Sequence, residues 1–301
     1  MTASDIKRRL INNSALFNDI YVIEQNFDII PDETHFGAAI TYQDMVELRA
    51  DFLGQLIDTI VDWVYSSEKY SSLKQKYVES GKSEAAASSE IIRKAKQKFR
   101  SSSDKLQIQG QLGELVLFNF IQHFMHAVPL LRKMPITTSA GHERYGADAI
   151  HYKVSEDKNI FILGEAKAYT SEHSFKAAMT NSISSILDSY HKLRTELNLY
   201  LHEDFLDDEL DKVAELFLSN QLSNVQIELT CLIMYNEDAE IKITDENDIK
   251  AQIKRVIEER YSSYDKSNID INSNPILKRI TYIVFPIWKF DELASEFQKM
   301  F

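Results

Sequence analysis

Phe161-Ile162-Leu163-Gly164-Glu165-Ala166-Lys167 is the stretch from which the rest of the chain is best read. An apolar run bounded by polar residues reads as a buried strand, expected over Ile160–Ala168. It ends in a carboxylate and an ammonium two positions apart. Side chains alternate along a strand, so Glu165 and Lys167 project side by side from one face. A second carboxylate, Asp148, lies 17 positions before Glu165, in Gly146-Ala147-Asp148-Ala149-Ile150. Tyr145–Val154 reads as the preceding strand and Ser155–Asn159 as the turn between them. An Asp and a Glu-x-Lys on adjacent strands can hold a divalent metal beside a water-activating lysine.

The pattern extends outward in both directions. Ile108–Met125 is apolar on nearly every side and reads as a buried helix, followed by a short apolar run from Pro129 to Ile136. After the central strand, Phe175, Met179, Ile183, Ile186, Leu187, Tyr190 and Leu193 recur at helical spacing, predicting a helix over 172–200. A strand at 226–235, a helix near 246–262, a strand at Ile280–Phe285 and a terminal helix at Lys289–Phe301 follow. Before residue 105 the reading is mostly helical. Thr41-x-x-Asp44 resembles a capped helix start, and apolar residues from Met45 to Val64 predict one amphipathic helix over 41–66. Tyr21, Ile23, Phe27 and Ile29 allow one or two strands in the first 40 residues. The expected division is an N-terminal, mainly helical region (1–105) and an α/β domain (106–301).

Bulk composition excludes several classes. The 301 residues are 44% hydrophobic and 11% aromatic, which is a globular composition. Cys231 is the only cysteine, so no internal disulfide or multi-cysteine zinc site can form, as suits a reducing cytoplasm. The N-terminus lacks the apolar core of a signal peptide, and no apolar run reaches membrane-spanning length. The expectation is a soluble, cytoplasmic protein. A net charge of −12 opposes a phosphate-binding surface spread over the whole molecule. One local exception is the basic segment 91–105, with Arg93, Lys94, Lys96, Lys98, Arg100 and Lys105. It reads either as a solvated helix face or as a phosphate contact, with Lys94 and Lys98 the candidate DNA-binding positions.

Phosphodiester hydrolysis needs a nucleophilic water, a cation against charge growing on the phosphoryl oxygens, and help for the leaving group. Mg²⁺ suits this chemistry, and Mn²⁺ can replace it. Such a site often holds the ion through one or two carboxylates plus substrate phosphate. Asp148 and Glu165 can supply those ligands, and Lys167 can orient water or offset phosphate charge. Burial and metal would lower the lysine pKa while the carboxylates would raise it, and the sequence leaves the direction open. Glu114, in Gln111-Leu112-Gly113-Glu114, is either a further ligand, direct or through water, or a first-turn Glu favoured by the helix dipole. His142 and Arg144 precede the Asp148 strand and read as exposed loop residues or phosphate contacts. His123 and His126 lack a surrounding carboxylate cluster and read as structural.

This arrangement resembles the PD-(D/E)xK nuclease superfamily over about 108–235. The resemblance implies a restriction-endonuclease-like core of helix, three strands, helix and strand, with a mixed central sheet flanked by helices. It also implies catalytic roles for Glu114, Asp148, Glu165 and Lys167, the three carboxylates being the metal ligands. The family's Pro-Asp pair is not kept, because Asp148 follows Ala147. More narrowly, Gln109-Gly110-Gln111-Leu112-Gly113-Glu114-Leu115, Arg144-Tyr145-Gly146-Ala147-Asp148-Ala149 and Leu163-Gly164-Glu165-Ala166-Lys167-Ala168 resemble the nuclease subunits of Hachiman antiphage systems. That resemblance implies a partner helicase of the HamB type, restraint of the nuclease until activation, and DNA degradation afterwards. Two other readings stay open. One is a silent nuclease-fold module that binds and regulates a helicase. The other is a structural ion pair in an unrelated α/β fold.

Overall fold

The computed structural model describes residues 2–98, 105–131, 146–170, 174–200 and 208–301. Its centre is a seven-stranded mixed sheet. The strands are β1 (Ile20–Asn26), β2 (Thr34–Ile40), β5 (Val128–Leu131), β6 (Ala149–Ser155), β7 (Lys158–Tyr169), β8 (Val225–Glu237) and β9 (Ile280–Trp288), in the spatial order β1-β2-β9-β8-β7-β6-β5. Strands β2, β9, β8 and β7 run parallel, while β1 and the β5–β6 pair are antiparallel to their neighbours. A separate small hairpin joins β3 (Tyr42–Gln43) to β4 (Val46–Glu47).

Helices cover both faces, as a sheet with two apolar surfaces requires. One face carries α3 (Arg49–Asp58), α4 (Ile60–Val64), α7 (Lys105–Met125) and α11 (Phe290–Gln298). The other carries α8 (Ser174–Tyr200), α9 (Asp208–Leu218) and α10 (Glu246–Ser263). Shorter helices α1 (Ala3–Arg9) and α2 (Ser14–Asn18) precede the sheet, and α5 (Ser67–Glu79) packs on α6 (Glu84–Lys98) before α7. The order α7-β5-β6-β7-α8-α9-β8 is helix, three strands, two helices and strand, so α9 is an addition to the expected core.

Strand β7 separates the two cores residue by residue. Ile160, Ile162 and Ala168 join the core under α7, whereas Phe161 and Leu163 join the core under α8. Gly164 belongs to the α7 side, where an added Cβ would lie 2.8 Å from Ile121 and 3.0 Å from Leu117. Alternation therefore turns Glu165 and Lys167 toward the α8 side.

The expected 41–66 helix is shorter and begins later. Asp44 and Met45 both take positive φ, 49° and 63°, and turn the chain into the β3–β4 hairpin. Thr41 gives its carbonyl to the Leu48 amide at 2.9 Å, so it closes the hairpin instead of capping a helix. Helix starts only at Arg49 and is interrupted at Thr59, whose hydroxyl donates to the Leu56 carbonyl at 2.7 Å. The first 40 residues supply two strands, β1 and β2, to the same sheet that carries β7. Among the described residues, no helix is long and apolar enough to cross a membrane.

Candidate active site

Three of the four residues proposed for catalysis meet on one sheet face. The last β6–β7 pair is Ala149 with Gly164, so Asp148 stands just beyond the ladder, beside Glu165. There the Asp148 Oδ2 accepts the Ala166 amide at 2.9 Å. Ala166 is the residue between Glu165 and Lys167, so this one bond ties the upstream carboxylate to the Glu-x-Lys pair. On the other side, Glu165 lies in register with Cys231 of β8 and Lys167 with Ile233. The pair is thus held between strands, which are stiffer supports than loops.

Glu165 is only 4% exposed, and its Oε1 accepts a hydrogen bond from Lys167 Nζ at 2.7 Å. Burial acts to lower the Lys167 pKa. The Glu165 charge and hydrogen bond, with Asp148 and Tyr169 adding to them, outweigh it and raise the pKa. Lys167 is accordingly an ammonium at neutral pH. Cys231 is fully buried, and burial pushes its thiol far above the ordinary range, so it is no nucleophile.

Glu114 is placed differently. It is half-buried on α7, the helix over the opposite sheet face. Its neighbour Gly113 packs against β7, where an added Cβ would lie 3.4 Å from both Ala166 and Ala168. Gln109 of the same helix donates to the Thr170 hydroxyl at 3.1 Å, just past the end of β7. The first half of α7 therefore borders the strand end that carries Glu165 and Lys167, and Glu114 lies beyond the helix's first turn.

The basic segment is partly neutralised from outside its own window. Glu90 pairs with Arg93, with Lys94 at 3.8 Å and with Lys82 at 3.6 Å. The Lys94 ammonium also donates to the Tyr77 hydroxyl and lies 5.0 Å from the centre of that ring. Lys96 donates to the Met300 carbonyl at 3.2 Å. Lys98 is half-buried and has no ion pair among the described residues. His142, Arg144 and Arg100 lie outside the described residues. His123 stacks on Phe17 with ring centres 3.6 Å apart, a packing role.

Sequence reasoning missed Glu196 and the reason for Gly146. Glu196 is 4% exposed on α8, and its Oε2 accepts the Ala147 amide at 3.2 Å. Gly146 has φ +110°, and an added Cβ would fall 2.0 Å from that carboxylate. The signal was present: Glu196 falls between Leu193 and Leu197 on the apolar stripe of its helix, where a carboxylate is out of place.

The family profile described as HamA matches residues 15–301, nearly the whole chain. The chain belongs to the HamA family. Membership makes it a component of Hachiman antiphage defence. No curated protein matches the chain. In this HamA-family chain, no group of three or more His, Cys, Asp or Glu residues is arranged to hold a metal ion among the described residues. Asp148 and Glu165 do offer two carboxylates on one face. Mg²⁺ accepts a donor set of that kind, because it takes hard oxygen ligands and keeps several of its waters.

Proposed function

We propose that this chain is the metal-dependent DNA endonuclease subunit of its defence system. The observation that carries the reading is the Asp148–Ala166 hydrogen bond, which seats one carboxylate beside the buried Glu165–Lys167 pair. Asp148 and Glu165 would hold Mg²⁺, or Mn²⁺ in its place, and Glu114 would contribute through a water from the middle of α7. When bound, such an ion supplies Lewis acidity to a phosphoryl oxygen and lowers the pKa of a coordinated water.

The protein's own part is positioning and charge. Lys167, protonated, donates to Glu165 in the resting chain and faces growing negative charge when a phosphodiester enters. In the resting chain it is a cation. Glu165, buried against Leu163 and Cys231, excludes bulk water from one side of the reacting phosphate. DNA is the substrate this reading expects, with a partner helicase supplying both restraint and much of the grip. The chain's charge of −12 supports that division of labour.

The second reading, a silent module that regulates the helicase, draws on the lack of a three-ligand cluster among the described residues. Plasmid cleavage by the purified complex with the helicase, in Mg²⁺ and in Mn²⁺, separates the two. Wild type should nick or cut while Glu165→Ala should not. Equal cleavage by both would remove the site assignment. No cleavage by wild type in either metal, with helicase binding intact, would favour the regulatory module.

A further inference from the structure

We propose that Glu196 is a positioning residue that aims the Asp148 carboxylate, working from the helix that covers the site. This rests on the nuclease reading for the role of Asp148, although the positioning itself can be tested without metal or DNA.

Asp148 lies one residue outside β6, so the strand ladder does not fix it. Two hydrogen bonds flank it instead. On one side the Glu196 Oε2 accepts the Ala147 amide at 3.2 Å, and on the other the Asp148 Oδ2 accepts the Ala166 amide at 2.9 Å. The first bond holds the Gly146–Ala147 peptide, one unit before Asp148, and the second holds its side chain. Glycine at 146 makes the first bond possible. Its φ of +110° is one that L side chains rarely adopt, and an added Cβ would fall 2.0 Å from the Glu196 carboxylate.

Glu196 is costly where it stands. It is 4% exposed and lies near the C-terminal end of a 27-residue helix, where the backbone dipole disfavours an anion. Packing would favour an apolar residue there, matching Leu193 and Leu197. The carboxylate accepts the Ala147 amide, which leucine cannot do. Helix α8 starts against β8, where Phe175 meets Tyr235, and reaches the entry to β6 at Glu196. It thereby couples the outer strand of the site to the centre of the sheet.

The test is amide hydrogen exchange on the full chain without metal, read at Ala166, whose amide is bonded to Asp148. Glu196→Ala should raise exchange at Ala166 roughly as Asp148→Ala does, while amides in β8 and β9 stay protected. Glu196→Gln should restore protection, because its amide oxygen can still accept from Ala147. Unchanged Ala166 exchange in a folded Glu196→Ala chain would overturn the proposal. If Glu196→Ala fails to fold, Gly146→Ala is the second probe, since its Cβ displaces the same carboxylate and should give the same local loss. Normal Ala166 protection in that variant would overturn it equally.

Mn²⁺ binding, followed by electron paramagnetic resonance, gives the link to the metal. Glu196→Ala should weaken it about 10- to 100-fold, the usual effect of losing support behind a ligand. Wild-type affinity in Glu196→Ala, with Asp148→Ala defective, would overturn the proposal. Full Mn²⁺ binding by Asp148→Ala would instead reject the metal-site reading, leaving the exchange result to decide positioning alone.

Discussion

Glu165 and Lys167 neutralise one another in the resting site, and that shapes what each can do. An isolated carboxylate at 4% exposure would carry a large desolvation cost, and the ammonium 2.7 Å away offsets it. The same contact helps keep Lys167 charged, since its pKa is raised above the ordinary lysine value. A lysine acting as base would lose activity as acid protonates it near neutral pH. A lysine acting as cation stays competent until the pH rises through its raised pKa. Rates of plasmid cleavage by the helicase complex should therefore keep the same pH dependence in Lys167→Arg and wild type between about pH 6 and 9, with Arg the slower enzyme. Lys167→Met should lower the rate about 100-fold or more, the scale of losing one preorganised charge stabiliser. A pH-independent Arg variant beside a wild type that rises steeply with pH would show that lysine is the base.

At the scale of elements, close approach of α7 to β7 depends on glycine. A Cβ at Gly164 would stand 2.8 Å from Ile121, 3.0 Å from Leu117 and 3.1 Å from Ala149. The obstructing atoms are side-chain carbons of two elements packed in the core, so those side chains have to repack. Gly164→Ala should cost about 1–3 kcal/mol of stability by denaturant melting, with the loss of an overpacked core. A second device joins β2 to β9. His35 is fully buried, its Nε2 donating to the Pro31 carbonyl at 2.9 Å and its Nδ1 accepting the Tyr282 amide at 3.2 Å. Burial lowers its pKa, although the Pro31 bond and nearby Glu33 and Asp32 act against that. The folded state thus binds fewer protons here than the unfolded one. Its contribution is fully present above the ordinary histidine value of 6.5 and is lost as pH falls below it toward the folded pKa. Unfolding free energy should drop between about pH 7.5 and 5.5 more in wild type than in His35→Gln, which has nothing to titrate at this position.

Elements also show where sequence sufficed. The buried helix α7, the β6–β7 pair, α8 and β8 were legible because their runs are apolar and bounded by polar turns, whereas α9 was masked by the acidic character of its segment. The β3–β4 hairpin was hidden because its positive-φ positions are Asp44 and Met45, with no glycine to announce them. Met45 and Val46, which fed the apparent helical stripe, are 46% and 64% exposed. Glu196 was hidden for another reason. Its partner is a backbone amide 49 positions away, and a bond to the main chain leaves no matching side chain to find.

The molecule as a whole is acidic, so under the proposed nuclease function a hold on DNA has to come from local positive charge or from a partner. Helix α6 offers the charge, but its residues are not equivalent. Arg93 and Lys94 converge on Glu90, and Lys94 is further engaged by Tyr77 of α5. In the chain alone Arg93 braces α6 internally, and Lys94 joins it to α5, two helices that have few buried residues of their own. Lys98, at the end of α6, has no such ion pair among the described residues. A lysine that touches phosphate releases about 0.9 counterion on B-DNA, so losing it flattens the plot of log affinity against log salt by about that amount. For the helicase complex on duplex DNA, Lys98→Ala should show this flattening. Lys94→Ala should leave the slope nearly unchanged and instead lower the melting temperature, because it removes an intramolecular contact. The reverse assignment, a flattened slope for Lys94 and none for Lys98, would place the DNA path along the α5–α6 face. Equal slopes in all three proteins would assign the whole electrostatic grip to the partner, as the charge of −12 allows.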